Sequence, residues 1–188
     1  MTGVVPGPDG LPRCPWGAGS ADYTAYHDDE WGRPVHGEAA LFERISLEAF
    51  QSGLSWITIL RKRDAFRAAF AGFDPAVVAA FDDGDVARLL ADAGIVRNRL
   101  KVLATIANAG AVVALDGGLD ALVWSFAPGV DRPAPMTTAD VLAVTPESTA
   151  MAKSLKRHGF RFVGPTTAHA LMQATGMVND HLADCAFR

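Results

Sequence analysis

The sequence is short of most features that announce a protein's class. It has only 2 cysteines in 188 residues, too few for the disulfide framework of a small secreted domain. No uninterrupted apolar run approaches the roughly eighteen residues of a membrane-spanning helix. The opening segment, Met1 to Gly10, is rich in Pro and Gly and has neither a basic cluster nor an apolar stretch. No secretory signal is read there, and a cytoplasmic address with no membrane partner is the expectation. Basic residues do not outnumber acidic ones: 17 Lys and Arg stand against 21 Asp and Glu, for a net charge of −4. That balance argues against a protein that wraps a polyanion in a basic shell. Two-residue alternation bounded by turns is also missing, so strands are expected to be minor.

What remains is a chain with 49% hydrophobic and 20% charged residues, enough apolar material for the core of a single domain. The expected division is a flexible tail over residues 1–11 and one helical domain over 12–188. Positive charge is gathered locally rather than spread. No Asp or Glu occurs from Ser148 through Asn179, where Lys153, Lys156, Arg157 and Arg161 fall. Acids are again absent from Ala93 through Leu115, which holds Arg97, Arg99 and Lys101. With Arg61, Lys62, Arg63 and Arg67, these segments carry eleven of the 17 basic residues. Such clusters suit local contact with a polyanion, or simply an Arg-rich helix surface.

Apolar spacing, caps and breakers predict an all-α fold. Helices are expected over Glu38–Gln51, from Ser55 to about Phe70, from Asp74-Pro75 to Phe81, Asp85–Ala93, Arg97–Leu115 and Leu119–Phe126. Further helices are expected from a Thr138 cap to Val144, from a Ser148 cap to His158, and from Thr166 or Thr167 to Gly176. Between the last two lies a tight Gly-bounded loop, Gly159 to Pro165. Backbone N–H groups at the start of the helix that follows can hold a phosphate without reading a base. An ordinary helical hairpin, with Gly159 as a helix stop, is the alternative.

Two further patterns bear on chemistry. Cys14 and His27 lie near one end, and His181 and Cys185 near the other, four positions apart and so on one face of a helix. Two thiolates and two imidazoles form a tetrahedral zinc set; a Cys14–Cys185 disulfide and unrelated histidines are the alternatives. His36, His158 and His169 lack comparable partners and read as ordinary polar residues. Glu48 falls on the apolar stripe with Leu41 and Ile45, where a carboxylate is costly unless paired or used. Trp16, Tyr23, Tyr26, Trp31 and Trp56 all lie within the first 56 residues. They form either a core cluster or a stacking pocket for a flat ligand whose edge Glu48 would meet.

Several runs together resemble the DNA-3-methyladenine glycosylase I family. They are Cys14-Pro15-Trp16, Tyr26 to Gly32, Leu47 to Trp56, Ala93 to Arg99, Trp124-Ser125-Phe126, Lys156 to Gly164 and Gln173 to His181. The likeness runs from about Pro12 to Cys185. It implies a helical member of the helix-hairpin-helix glycosylase superfamily, removing methylated adenine from alkylated double-stranded DNA as a monomer. It implies one structural zinc ion on Cys14, His27, His181 and Cys185. Glu48, Tyr26 and Trp56 fall where the family holds the extruded base, with Trp16, Tyr23 and Trp31 beside them. The phosphate-binding element would be Gly159, Phe160, Gly164 and Thr166, and Asp180 is the nearest candidate to assist water. Thr166–Thr175 contains no lysine, so the expected enzyme is monofunctional, without strand cleavage. A non-catalytic, zinc-stabilised helix-hairpin-helix module that merely binds DNA is the rival reading.

Overall fold

Ten consecutive residues of one helix, Leu41 to Phe50, are buried, and the rest of the chain is arranged around them. The computed structural model describes residues 3–130 and 132–188. Met1 and Thr2 of the expected tail, and Asp131 in a loop where the sequence shows no motif, lie outside them. Among the described residues the helices are α1 (Ala21–Asp29), α2 (Glu38–Gln51), α3 (Trp56–Ala69), α4 (Pro75–Ala79), α5 (Asp83–Ala91), α6 (Arg99–Val113), α7 (Gly118–Trp124), α8 (Pro146–Arg157) and α9 (Pro165–Ala174). The fold is all-α apart from one ribbon, in which β1 (Val5–Pro6) pairs antiparallel with β2 (Pro12–Arg13). The ribbon crosses the boundary expected at residue 12 and draws Val5–Pro6 of the tail into the fold.

Helix α2 is central because α3, α6, α7 and α9 all lie against it. Phe42, Phe50, Phe66, Phe70 and Phe73 are fully buried in this core, with Phe50 and Phe66 centroids 4.7 Å apart. A helix surrounded on every side must account for its polar residues. Glu43 takes three hydrogen-bond contacts from Arg67, at 2.8, 2.9 and 3.1 Å. Arg44 donates to Glu30 at 2.8 Å. Glu48 has no such partner among the described residues.

Most expected elements are present, with shifts at their starts that come from capping. Asp82, not Asp85, caps α5, accepting from the N–H groups of Gly84 and Asp85. Thr145 caps α8, and Ser148 is its reciprocal partner three residues on; Pro146 occupies the first helical position, where its missing N–H costs nothing. Asn98 caps α6. The helix expected over Thr138–Val144 is absent, and those residues form turns. Asp140 Oδ2 accepts from both the N–H and the hydroxyl of Thr137, at 2.8 and 2.9 Å, and this side-chain turn displaces a segment too short to hold a stable helix. Helix α1 was not expected at all. Its inward residues, Tyr23, Tyr26 and His27, keep helical spacing but are polar-tipped, so the apolar stripe is weak.

Candidate active site and metal centre

Four chain segments meet at one cavity of about 370 Å³. The turn at Pro15–Ala18 brings Trp16, α1 brings Tyr23 and Tyr26, and Trp31 follows α1. Helix α2 contributes Glu48 and Gln51, the first residue of α3 contributes Trp56, and the segment after α9 contributes Asp180. All six side chains expected around the base, and Asp180, line this one space. The aromatic rings are in mutual contact. Tyr26 and Trp56 centroids are 5.4 Å apart, Trp16 and Tyr23 5.7 Å, and Trp16 and Trp31 5.0 Å at a near-perpendicular angle. The Tyr23 hydroxyl accepts the Ile57 N–H at 3.1 Å, which ties α1 to the otherwise open start of α3.

The two carboxyl groups of the cavity differ in environment. Glu48 is 6% exposed, and no described residue hydrogen-bonds its carboxyl. Burial pushes its pKa up to about 8, with only partial opposition from the charge of Arg44. Burial also acts to raise Asp180, but its donors prevail and hold it below the ordinary carboxylate value. Gln173 Nε2 donates to Asp180 Oδ2 at 2.8 Å, His169 Nε2 stands 3.3 Å from the same oxygen, and Arg132 lies 3.9 Å from the other. The His169 contact is a close approach rather than an aligned hydrogen bond, since neither ring nitrogen has an aligned partner among the described residues. His169, read from sequence as an ordinary polar residue, is therefore a buried neighbour of the site. These opposite shifts favour the protonated form of Glu48 and the ionised form of Asp180 at neutral pH.

Sequence reasoning missed Gln51, Thr138, Gln173 and Val141, which also line the cavity. Gln51 was within reach of the method, because it follows Glu48 by three positions and so shares its side of α2. Thr138 and Val141 come from the turn segment taken for a helix, and no sequence signal placed them here.

Behind Trp16 and Trp31 the ends of the chain converge. Cys14, His27, His181 and Cys185 are buried, and one ligand atom from each lies within 4.8 Å of all the others. Cys14 Sγ is 3.8 Å from His181 Nδ1, and Cys185 Sγ is 3.6 Å from His27 Nε2 and 3.5 Å from His181 Nδ1. A tetrahedral zinc site with bonds of about 2.3 Å to sulfur and 2.0–2.1 Å to nitrogen has sulfur–nitrogen edges of about 3.6 Å. The donor set fits a metal ion on that geometry, and both cysteines are free thiols rather than a disulfide. The second ring nitrogens are also committed. His27 Nδ1 donates to Asp28 at 2.7 Å, and His181 Nε2 donates to the Trp31 carbonyl at 3.1 Å. Arg13 grips Asp28 in turn at 2.8 Å. Such outer contacts fix the tautomers that point the remaining nitrogens inward. Cys14 and Leu182 also line the cavity, so the group that could hold a metal adjoins one wall of the aromatic site.

The basic clusters separate into two kinds. Arg61 pairs with Asp22, Arg63 with Glu30 and Arg67 with Glu43, which neutralises the α3 cluster. Lys153, Lys156, Arg157 and Arg161 are exposed and make no ion pair among the described residues. Lys153, Lys156 and Arg161 border a groove of about 700 Å³ that also includes Gly164 and Thr167. Gly159 ends α8 with φ +92°, Gly164 caps α9, and Thr166 is exposed in its first turn. Phe160 departs from expectation. Its ring is buried, and its N–H is spent on the Leu155 carbonyl at 3.0 Å, so it offers a phosphate no donor.

This arrangement has close counterparts. Residues 16–188 match the model of the family described as methyladenine glycosylase. The chain is 46% identical over 182 residues to DNA-3-methyladenine glycosylase 1 of Escherichia coli (strain K12), covering 93% of this chain and 96% of that protein. A crystal structure of 3-methyladenine DNA glycosylase I superposes with a TM-score of 0.88 at 45% identity, covering 93% of this chain and 98% of that one. A structure of 3-methyladenine DNA glycosylase I from Staphylococcus aureus, concerned with 3-methyladenine recognition, gives a TM-score of 0.88 at 34% identity and covers 93% and 95% of the two chains. The chain belongs to the methyladenine glycosylase family.

Proposed function

We propose that this chain excises 3-methyladenine from alkylated double-stranded DNA by hydrolysing the N-glycosidic bond, leaving an abasic site for base excision repair. One observation carries the reading: a buried, unpartnered Glu48 faces a cavity walled by five aromatic side chains. A module that only bound DNA would need no such cavity. Reaction inside a duplex requires the nucleotide to rotate out of the stack. The exposed Leu54, on the turn with φ +81° at Gly53, stands beside the cavity mouth as a wedge for the vacated space.

Adenine methylated at N3 is cationic in DNA, so its glycosidic bond is already weakened and departure as a neutral base needs no strong acid. Tyr26 and Trp56 offer ring faces that favour a cation. The entering positive charge favours the carboxylate of Glu48, which yields its proton to bulk water and then opposes the charge that develops on the sugar. Bond cleavage returns the electron pair to the base. Water adds at the sugar carbon, with Asp180 as the ionised group able to take its proton. No lysine lines the cavity among the described residues, which supports a monofunctional glycosylase without an amine nucleophile. Phosphates would rest on the backbone of Gly164 and on Thr166, beside Lys153, Lys156 and Arg161; the Gly159 N–H, like that of Phe160, is spent within the hairpin, on the Lys156 carbonyl at 3.1 Å. Zinc is the cation we infer for Cys14, His27, His181 and Cys185; a closed four-donor set supplies folding energy and leaves no place for a reactive water.

The test is base release from DNA carrying 3-methyladenine, with the wild type beside Glu48→Gln. The wild type should release the free base, and the variant should lose about a hundredfold in rate. Absence of release by folded, metal-loaded wild type would overturn the reading. Strand cleavage at the abasic site, trapped with borohydride, would overturn its monofunctional part.

A further inference from the structure

Helix α6 carries three buried polar residues, Lys101, Thr105 and Asn108. At about 100° per residue they fall within an arc of about 60°, with Lys101 and Asn108 about 10 Å apart along the axis. The stripe is unusual because no carboxylate answers the buried ammonium. Lys101 Nζ instead donates to the carbonyls of Phe50 at 2.8 Å and Ser52 at 2.6 Å. These carbonyls lie at the C-terminal end of α2 and in the turn after it, two and four residues beyond Glu48 and just before Gly53 and Leu54. A cation there complements the negative end of α2. Asn108 makes a two-point contact with a different loop. Its Oδ1 accepts the Arg161 N–H at 2.7 Å and its Nδ2 donates to the Arg161 carbonyl at 3.1 Å, as a neighbouring strand would. Thr105 reaches neither loop, since its hydroxyl returns to the Lys101 carbonyl at 3.0 Å. Ser52 and Arg161, two of the three backbone positions held, border the 700 Å³ groove.

We propose that Lys101 and Asn108 are paired positioning residues. They make α6 a rigid spacer that fixes the turn at the cavity mouth relative to the α8–α9 hairpin. A nucleotide then reaches Glu48 in register with a phosphate seated on the hairpin. The proposal rests on the glycosylase reading above and adds to it the device that couples its two DNA-contacting loops. A buried lysine and asparagine whose side chains bond only backbone, at the end of α2, its turn and the hairpin, are explained by it, whereas core packing alone favours apolar residues at both positions.

The experiment compares wild type, Lys101→Met, Asn108→Leu, the double variant and Thr105→Val. Free 3-methyladenine binding is followed by tryptophan fluorescence, and kcat and KM are measured on alkylated duplex. Each single variant should lose about tenfold or more in kcat/KM on duplex while free-base affinity stays within about twofold. The double variant should fall no more than about twofold below the poorer single, because either broken end already releases the spacing. Thr105→Val should match the wild type. Losses that multiply in the double variant, an equal loss in Thr105→Val, or a parallel loss of free-base affinity would each overturn the spacer. If Asn108→Leu does not fold, Asn108→Asp keeps the shape and the acceptor for the Arg161 N–H while turning a carboxylate oxygen to the Arg161 carbonyl, and the same losses are expected. Active wild type with undiminished variants sinks the proposal alone; inactive wild type sinks the glycosylase reading and the proposal with it.

Discussion

The α2 side of the cavity and the side formed after α9 are built on opposite plans. On α2, Glu48 is held in place by core packing and left without a hydrogen-bond donor, so its charge is deferred until something positive arrives. After α9, Asp180 is surrounded by Gln173, His169 and Arg132, so its charge is in place beforehand. The backbone of that second side runs from the main core at Met177 and Val178 to the small cluster of Cys14, Leu182 and Cys185, with His27 and His181 beside it. The lesson is that an unsatisfied group marks where a ligand must complete the structure, and a satisfied one marks where the structure prepares for a later step.

Emptying the zinc site proposed at Cys14, His27, His181 and Cys185 tests the second side most severely. Chelation, or His181→Ala, should cost upwards of about 4 kcal/mol of stability. Because Trp16 and Trp31 contact His27, tryptophan fluorescence should shift and free-base binding should be lost together. Glu48→Gln acts on the first side. Beyond its loss of about a hundredfold in base release, it should alter the dependence of stability on pH. Glu48 rises from an ordinary 4.5 to about 8 in the fold, so the native state holds its proton more tightly than the unfolded chain. Stability is therefore full below about pH 4.5 and falls as pH rises through 8. Thermal melts should show Glu48→Gln abolishing that fall, making it more stable than wild type at pH 8.5 by about 2–4 kcal/mol. The smallest effect belongs to Asp180→Asn. It keeps an acceptor for Gln173 but removes the charge, and should slow single-turnover excision by about tenfold with free-base affinity unchanged. A loss equal to that of Glu48→Gln would erase the contrast between the two sides.

The parts of the site legible in sequence were those with an internal contradiction. Glu48 was conspicuous because its spacing set a charge among apolar residues, and the cysteines because so few were present. What stayed hidden depended on partners distant in sequence. Arg61, Arg63 and Arg67 read as a basic surface, yet their acids Asp22, Glu30 and Glu43 lie 20 or more positions upstream, in α1, just beyond it and in α2. His169 showed no partner until α9 and the segment behind it brought Asp180 alongside. Helix α1 escaped notice because aromatic residues with polar tips dilute its stripe. The turn at 137–140 was read as helical because a side-chain acceptor for Thr137 leaves no mark on hydrophobic spacing.

The order of synthesis gives the metal-binding cluster a further meaning. Cys14 and His27 leave the ribosome early, whereas His181 and Cys185 follow more than 150 residues later, an interval on the order of ten to thirty seconds at ordinary elongation rates. During that interval the aromatic residues of the cavity exist without the wall that completes it. A chain cut short before Asp180 lacks that carboxylate and half the donors, so an incomplete product has no finished pocket with which to draw bases out of intact DNA.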